Sequence, residues 1–284
     1  MRNELLTNAT ILHYTSNVKV IIRNLRAAGR DPLPYNITED DARYLISEKW
    51  IKLTVKTRKG YWHSLRRYTE FFDNQTIKKI KVRFPHDMRP NVDWLTDHQV
   101  KQILTYPMDQ IQKFVIYCEL YGGLRRRDVM GLTVNSILPK HLHVLGKGAI
   151  GGKPRLVPYG DEFAAVIEEF LLYRNKLIEK AKNRRPTAKV PNELLIYEKG
   201  GKLSAYDEFA DAIDKRVCRK MSKELGFKFS NHTLRRTLAR RLYRMGVKLR
   251  TIADILGQED SADAERYIGL INDDMVAAIE NLTF

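Results

Sequence analysis

Residues 83–94, Arg-Phe-Pro-His-Asp-Met-Arg-Pro-Asn-Val-Asp-Trp, hold two prolines and little apolar periodicity. Proline lacks a backbone donor and pushes the residue before it out of the helical region, so neither a helix nor a central strand runs through this stretch. The chain on either side is strongly patterned. A length of 284 residues suits two ordinary domains. The sequence therefore predicts a helical domain at 1–84, a linker at 85–94 and a second domain at 95–284.

The first domain reads as a small helical bundle. Ile11, Tyr14, Val18, Ile21, Ile22 and Leu25 recur at helical spacing, and Gly29 is a natural stop. Asp31-Pro32-Leu33-Pro34 is a turn, and Thr38-Glu39-Asp40-Asp41 is a helix start with acids in its first turn. A further helix is predicted from Thr57 to Phe72, with Tyr61, Leu65, Tyr68 and Phe72 on one face and Arg58, Lys59, Arg66 and Arg67 on others.

In the second domain Thr96 opens a helix, and helices continue to about residue 132. Two short apolar runs, 141–145 and 155–158, flank a glycine-rich turn from Gly146 to Gly152 and read as a β-hairpin. Helices resume from Asp161 to about Lys182, a loop follows around 183–186, and helices return from Ala205. The fold class predicted is mainly α with a small β-sheet (α+β).

Composition narrows the partners. An apolar content of 43% supports an ordinary core, and no apolar run approaches the ~18 residues of a membrane span. Met1-Arg2-Asn3-Glu4 lacks the apolar stretch of a signal peptide, which predicts a cytoplasmic protein. Cys118 and Cys218 have no neighbours at metal-ligand spacing, so neither a disulfide framework nor a zinc site is expected, and Cys118 reads as core. The formal charge of +16 makes nucleic acid the leading partner. Residues 1–90 carry +9 of it, 18 Lys and Arg against 9 Asp and Glu. Charge shared in this way fits a grip on DNA from two sides, and equally fits two solvated faces.

The residues with chemistry come in order. Arg125 follows Gly123-Leu124 and precedes Asp128; Lys147 stands in Gly146-Lys147-Gly148, with Lys153-Pro154-Arg155-Leu156-Val157-Pro158 beyond it. His232 and Arg235 are three apart on one helix face behind Ser230-Asn231, a good N-cap, which puts both in the first turn. Leu256-Gly257-Gln258 follows, and Tyr267 stands nine residues past Gln258. Arginine clamps phosphate oxygens, and tyrosine can serve as a covalent nucleophile. A rival reading takes Thr233 to Met245, the turn at Gly246 and Leu249 to Leu256 as a helix-turn-helix, its arginines contacting DNA.

The order and spacing of these boxes resemble the tyrosine recombinase (phage integrase) family, over nearly the whole chain. The resemblance implies a helical core-binding domain and a catalytic domain that together clamp DNA. It implies Tyr267 as the nucleophile forming a 3′-phosphotyrosyl link, Arg125 and Arg235 as phosphate clamps, and His232 as a proton donor or acceptor. Lys147 would protonate the leaving 5′-oxygen, with Lys153 a competitor because the turn is longer than usual. Asp128 would hold the surrounding side chains. Arg58, Lys59, Arg66, Arg67, Lys153, Arg155 and Arg236 would contact DNA. No metal, ATP or other cofactor is implied; the partners are a double-stranded recombination site and further copies of the chain, two per site and four in the synapse. The segment 271–284, with its apolar stripe, would dock on its own domain or on a neighbouring protomer. Gln258 departs from the family's usual histidine or tryptophan: it can hydrogen-bond a phosphate but cannot exchange a proton. That departure leaves open a DNA-binding protein with impaired catalysis. A relaxing type IB topoisomerase shares the covalent chemistry and stays open too.

Overall fold

The Asp41 amide donates to the Thr38 hydroxyl while the Thr38 amide donates to the Asp41 carboxylate, a reciprocal cap that starts a helix at the acidic run. The computed structural model describes residues 8–85, 93–146, 154–206 and 212–268. The chain forms two compact units, Met1–Pro90 and Asn91–Phe284.

The first unit holds α1 (Asn8–Arg26), α2 (Glu39–Tyr44, continued by one π-helical turn, Leu45–Lys49), α3 (Val55–Glu70) and α4 (Thr76–Lys79). Ile21, Leu25, Ile37, Leu45, Trp50, Leu65 and Ile77 form its buried core. Asp41 also takes an ion pair from Arg30 at 2.7 Å, which holds its carboxyl below the usual range against the opposing effect of burial. Helix α3 starts two residues before the predicted Thr57, because the Thr54 hydroxyl accepts from the Thr57 amide. It also ends two residues before the predicted Phe72. Phe72 therefore leaves the apolar face and stands 47% exposed.

The second unit is built around α6 (Gln110–Leu120), preceded by α5 (Asp97–Thr105) and followed by the short α7 (Arg126–Met130). Nearly all of α6 is buried, and Phe114 stacks on Phe170 of α8 (Asp161–Arg184) with ring centroids 4.1 Å apart. The hairpin β2 (His141–Leu145) and β3 (Pro154–Pro158) forms as the two apolar runs predict, with Val144 opposite Arg155. A two-residue strand β1 (Ile137–Leu138) extends it into an antiparallel sheet. A second hairpin, β4 (Ile196–Lys199) and β5 (Lys202–Ala205), turns at Gly200–Gly201 where the sequence predicts no strand. Ile-Tyr-Glu-Lys and Lys-Leu-Ser-Ala hold neither a continuous apolar run nor a strict apolar–polar alternation. Ile196 and Leu203 bury against α8 residues and so supply the missing drive.

The chain then runs through α9 (Ala212–Asp214, continued by a π-helical turn, Lys215–Arg219), α10 (Lys220–Leu225), α11 (Asn231–Arg244), α12 (Leu249–Leu256) and α13 (Ser261–Ile268). Ala239, Ile252, Leu256 and Ile268 bind α11, α12 and α13 into one cluster, with Tyr267 packed on it. Among the described residues no helix is long and apolar enough to cross a membrane.

Candidate active site

Helix α11 begins where Ser230 caps it. The Ser230 hydroxyl accepts from the Thr233 amide, and the Thr233 hydroxyl accepts from the Ser230 amide, both at 3.2 Å. His232 therefore lies in the first turn. Arg235 lies just past the first turn in which the sequence predicts it, since the cap falls at Ser230 and Arg235 is the fifth helical residue.

Depth changes what Arg235 does. Its side chain is buried, at 1% exposure, and its two terminal nitrogens donate to the carbonyls of Gly123 and Leu256. One guanidinium thus bridges the turn before α7 and the end of α12. Burial and the nearby Arg125 push its pKa down to about 10, and the group stays charged at neutral pH. Gly123 has φ +60, and a Cβ there would stand 3.0 Å from both Leu238 and Leu256. Glycine is needed there to bring the carbonyl so close to α11.

Arg125 caps α7. Its amide donates to Asp128 at 3.0 Å, and its guanidinium donates to the Gly257 carbonyl at 3.1 Å. Asp128, buried, also takes an ion pair from Arg155 of β3 at 2.6 Å. Arg155 is thereby drawn inward, its side chain 10% exposed, with Nε and Nη1 buried and making no hydrogen bond. It lies flat on Gly257, where a Cβ would stand 2.8 Å from the Arg155 Cδ.

Tyr267 on α13 closes the group. Its hydroxyl lies 3.4 Å from His232 Nδ1 and 3.5 Å from the His232 carbonyl. Arg235 and Arg236 face its ring at 5.6 and 5.3 Å from the centroid. Burial raises the Tyr267 pKa, and the attraction of Arg235, Arg236 and Arg125 for a phenolate opposes that rise. His232 is held below its ordinary value, first by partial burial and then by the charges of Arg236, Arg235, Arg125 and Arg126. A neutral imidazole beside a phenol, in a ring of guanidiniums, can take the phenol's proton when an anion enters. Gln258 follows the turn at Gly257; its backbone N–H donates to the Ala253 carbonyl at 2.9 Å, and its side-chain Oε1 is buried without a hydrogen bond.

The fold thus brings Arg125, Asp128, Arg155, His232, Arg235, Arg236, Gln258 and Tyr267 into one region of the second unit. Lys147, Lys153 and the segment 271–284 lie outside the described residues. In the first unit Lys59 is exposed, Arg66 and Arg67 are half-buried, and Arg58 lies 5.6 Å from the Phe84 ring centroid. A helix–turn–helix shape does exist at α11 and α12. Arg235, however, points to backbone carbonyls inside the domain, not outward toward a groove.

The sequence model described as the phage integrase family matches residues 93–272. The chain belongs to the phage integrase family. As a tyrosine recombinase of that family it breaks and rejoins DNA. The chain is 22% identical to tyrosine recombinase XerA of Pyrococcus horikoshii, over 87% of this chain and 81% of that protein. It is 24% identical to a tyrosine recombinase of Pseudothermotoga lettingae, over 98% and 93%. Its fold is similar to that of XerH site-specific recombinase bound to a palindromic difH substrate in a post-cleavage complex. That similarity has a TM-score of 0.69 and 18% identity, covering 93% of this chain and 76% of that one. The Tn1549 transposon integrase in complex with transposon right end DNA gives a TM-score of 0.64 at 18% identity, covering 98% and 94%.

Two junctions escape a reading of sequence boxes. The first is Arg155 on Gly257. Gly257→Ala places a Cβ against Arg155 at a φ of +58 and must move the guanidinium off Asp128. We expect a loss of about 1–3 kcal/mol of stability and slower DNA cleavage. Wild-type stability in a denaturant titration would sink this. The second is Glu119, at 0% exposure in α6, whose carboxyl is pushed up to about 8 by burial. Its ordinary value is 4.5, so between 4.5 and 8 the unfolded chain holds fewer protons than the folded one. Stability contributed by the neutral carboxyl is complete below that window and is lost as pH rises through it. Glu119→Gln, which cannot ionise, is expected to keep a flatter melting temperature from pH 5 to pH 8 than wild type. Parallel curves in thermal melts across that range would refute the buried-carboxyl assignment.

Proposed function

We propose that Tyr267 is the nucleophile of site-specific recombination, and that residues 95–284 are the catalytic domain. The observation that carries this is the Tyr267 hydroxyl set 3.4 Å from His232 Nδ1 and faced by Arg235 and Arg236. The hydroxyl oxygen attacks a DNA phosphorus, the bond to the 5′-oxygen breaks, and a 3′-phosphotyrosyl link remains. His232 takes the phenol's proton, and Lys147 gives one to the leaving 5′-oxygen. Negative charge gathers on the phosphate oxygens in the transition state, where Arg125 stabilises it, the buried charge of Arg235 beside the Tyr267 ring reinforces that stabilisation, and Gln258 adds a hydrogen bond. Asp128 positions Arg125 through its backbone amide. The energy of the broken bond is kept in the new one, so rejoining needs no ATP.

Residues 1–84 act as the core-binding domain, with Arg58, Lys59, Arg66 and Arg67 on DNA and Lys153 and Arg236 contributing from the second domain. The substrate is double-stranded DNA, bound by two copies per site and four in the synapse. Support comes from the net charge of +16, from the family match and from structural neighbours solved on DNA.

The test begins by selecting duplexes that the protein binds from a randomised pool. Selected duplexes nicked near the binding site are then incubated with wild-type protein and denatured. A denaturant-resistant adduct with a free 5′-hydroxyl on the departing strand is the expected result. Tight binding with no adduct favours a binding protein. An adduct with relaxation of supercoils, but no exchange between two sites, favours the topoisomerase reading.

A further inference from the structure

The run Phe114-Val115-Ile116-Tyr117-Cys118-Glu119-Leu120 contains a single acid, and that acid is wholly buried. Glu119 Oε1 accepts a hydrogen bond from Asn231 Nδ2, while Oε2 is buried and makes no hydrogen bond. The other end of the Asn231 carboxamide is engaged too: its Oδ1 accepts from Cys218 Sγ at 3.5 Å. Asn231 is the first residue of α11, and His232 is the next. The Ser230 cap ties this turn only to itself, over three residues. The Glu119 bond ties it to the central helix α6, 112 residues away in sequence.

A leucine at 119 would suit the surrounding core better than a carboxyl with an unsatisfied oxygen. The acid therefore costs stability, and what it obtains in return is a fixed Asn231. That residue adjoins the imidazole whose distance to the nucleophilic hydroxyl decides proton transfer.

We infer that Glu119 is a positioning residue for DNA cleavage: through Asn231 it fixes the first turn of α11, and with it the placement of His232 against the Tyr267 hydroxyl. This rests on the reading of Tyr267 as nucleophile. The role needs an acceptor of the right length, not a charge, so glutamine serves and leucine does not.

Wild type, Glu119→Gln and Glu119→Leu are compared by two measurements. The first is the His232 imidazole spectrum of the free protein by NMR, assigned by its loss in His232→Gln. The second is the single-turnover rate of adduct formation on the selected nicked duplex, with duplex affinity and melting temperature measured alongside. In Glu119→Leu the His232 signals are expected to move. Cleavage should slow at least about 10-fold, with affinity within about 2-fold and a melting temperature no lower than wild type. Glu119→Gln is expected to keep the His232 signals and a rate within about 3-fold of wild type. Unmoved His232 signals in Glu119→Leu overturn the inference, as does a rate equal to wild type. So does a glutamine variant as slow as the leucine one, or a rate loss that only follows weaker binding or lower stability. If wild type itself forms no adduct, the nucleophile reading fails, while the NMR comparison still decides whether Glu119 places His232.

Discussion

Tyr267→Phe is expected to bind the selected duplex as wild type does and to form no covalent adduct. The ring stays: its packing on the α11–α13 cluster and its contacts to Arg235 and Arg236, at 5.6 and 5.3 Å, need no hydroxyl. The hydroxyl loses its two long contacts to His232 atoms, at 3.4 and 3.5 Å, and a hydrogen bond with Arg235, so stability should change by about 1 kcal/mol. The attacking oxygen, by contrast, has no substitute within the group. Adduct formation should drop by a factor on the order of 10⁴ or more, below detection. An adduct of undiminished yield in the phenylalanine variant would move the nucleophile elsewhere among the chain's 14 tyrosines.

Arg235→Ala and Arg235→Lys should both slow cleavage severely, and only the first should also damage the fold severely. Alanine leaves the Gly123 and Leu256 carbonyls without their donors and opens a void in a site that is 1% exposed. Loss of a buried, hydrogen-bonded cation of this kind costs about 3–5 kcal/mol. Lysine keeps the charge, yet one ammonium on a flexible stem cannot span both carbonyls while facing Tyr267. It should lose about 1–2 kcal/mol of stability and at least about 100-fold in cleavage rate. Denaturant titration and adduct kinetics measure the two effects separately. Lysine activity close to wild type would show that charge alone matters at this position, and the bridging geometry would then be irrelevant.

Local signals in the chain carried much of the fold. Thr38 with Asp41, Thr96 with Gln99 and Ser230 with Thr233 are caps whose partners lie three residues away, so sequence shows both halves of each. The apolar runs of the hairpin and the long period of α8 are legible for the same reason. So is the order Arg125, His232, Arg235, Tyr267, because the family resemblance rests on spacing along the chain.

The placement of the site was decided elsewhere. Arg235 turns inward because its acceptors, Gly123 and Leu256, lie 112 and 21 residues away and reach it only after α6, α11 and α12 pack. From sequence Arg155 is a basic residue on a strand, expected to contact DNA. In the fold the buried Asp128 and the bare backbone of Gly257 draw it under the turn. Glu119 has no local signal beyond being an acid among apolar residues, and its partner is supplied by a helix 112 residues on. The sequence by itself determined where the capped helices α2, α5 and α11 start and which side chains line up in order. Tertiary packing alone decided which of those charges are buried and what they hold, because burial and hydrogen-bond partnership are made between segments that no local pattern relates.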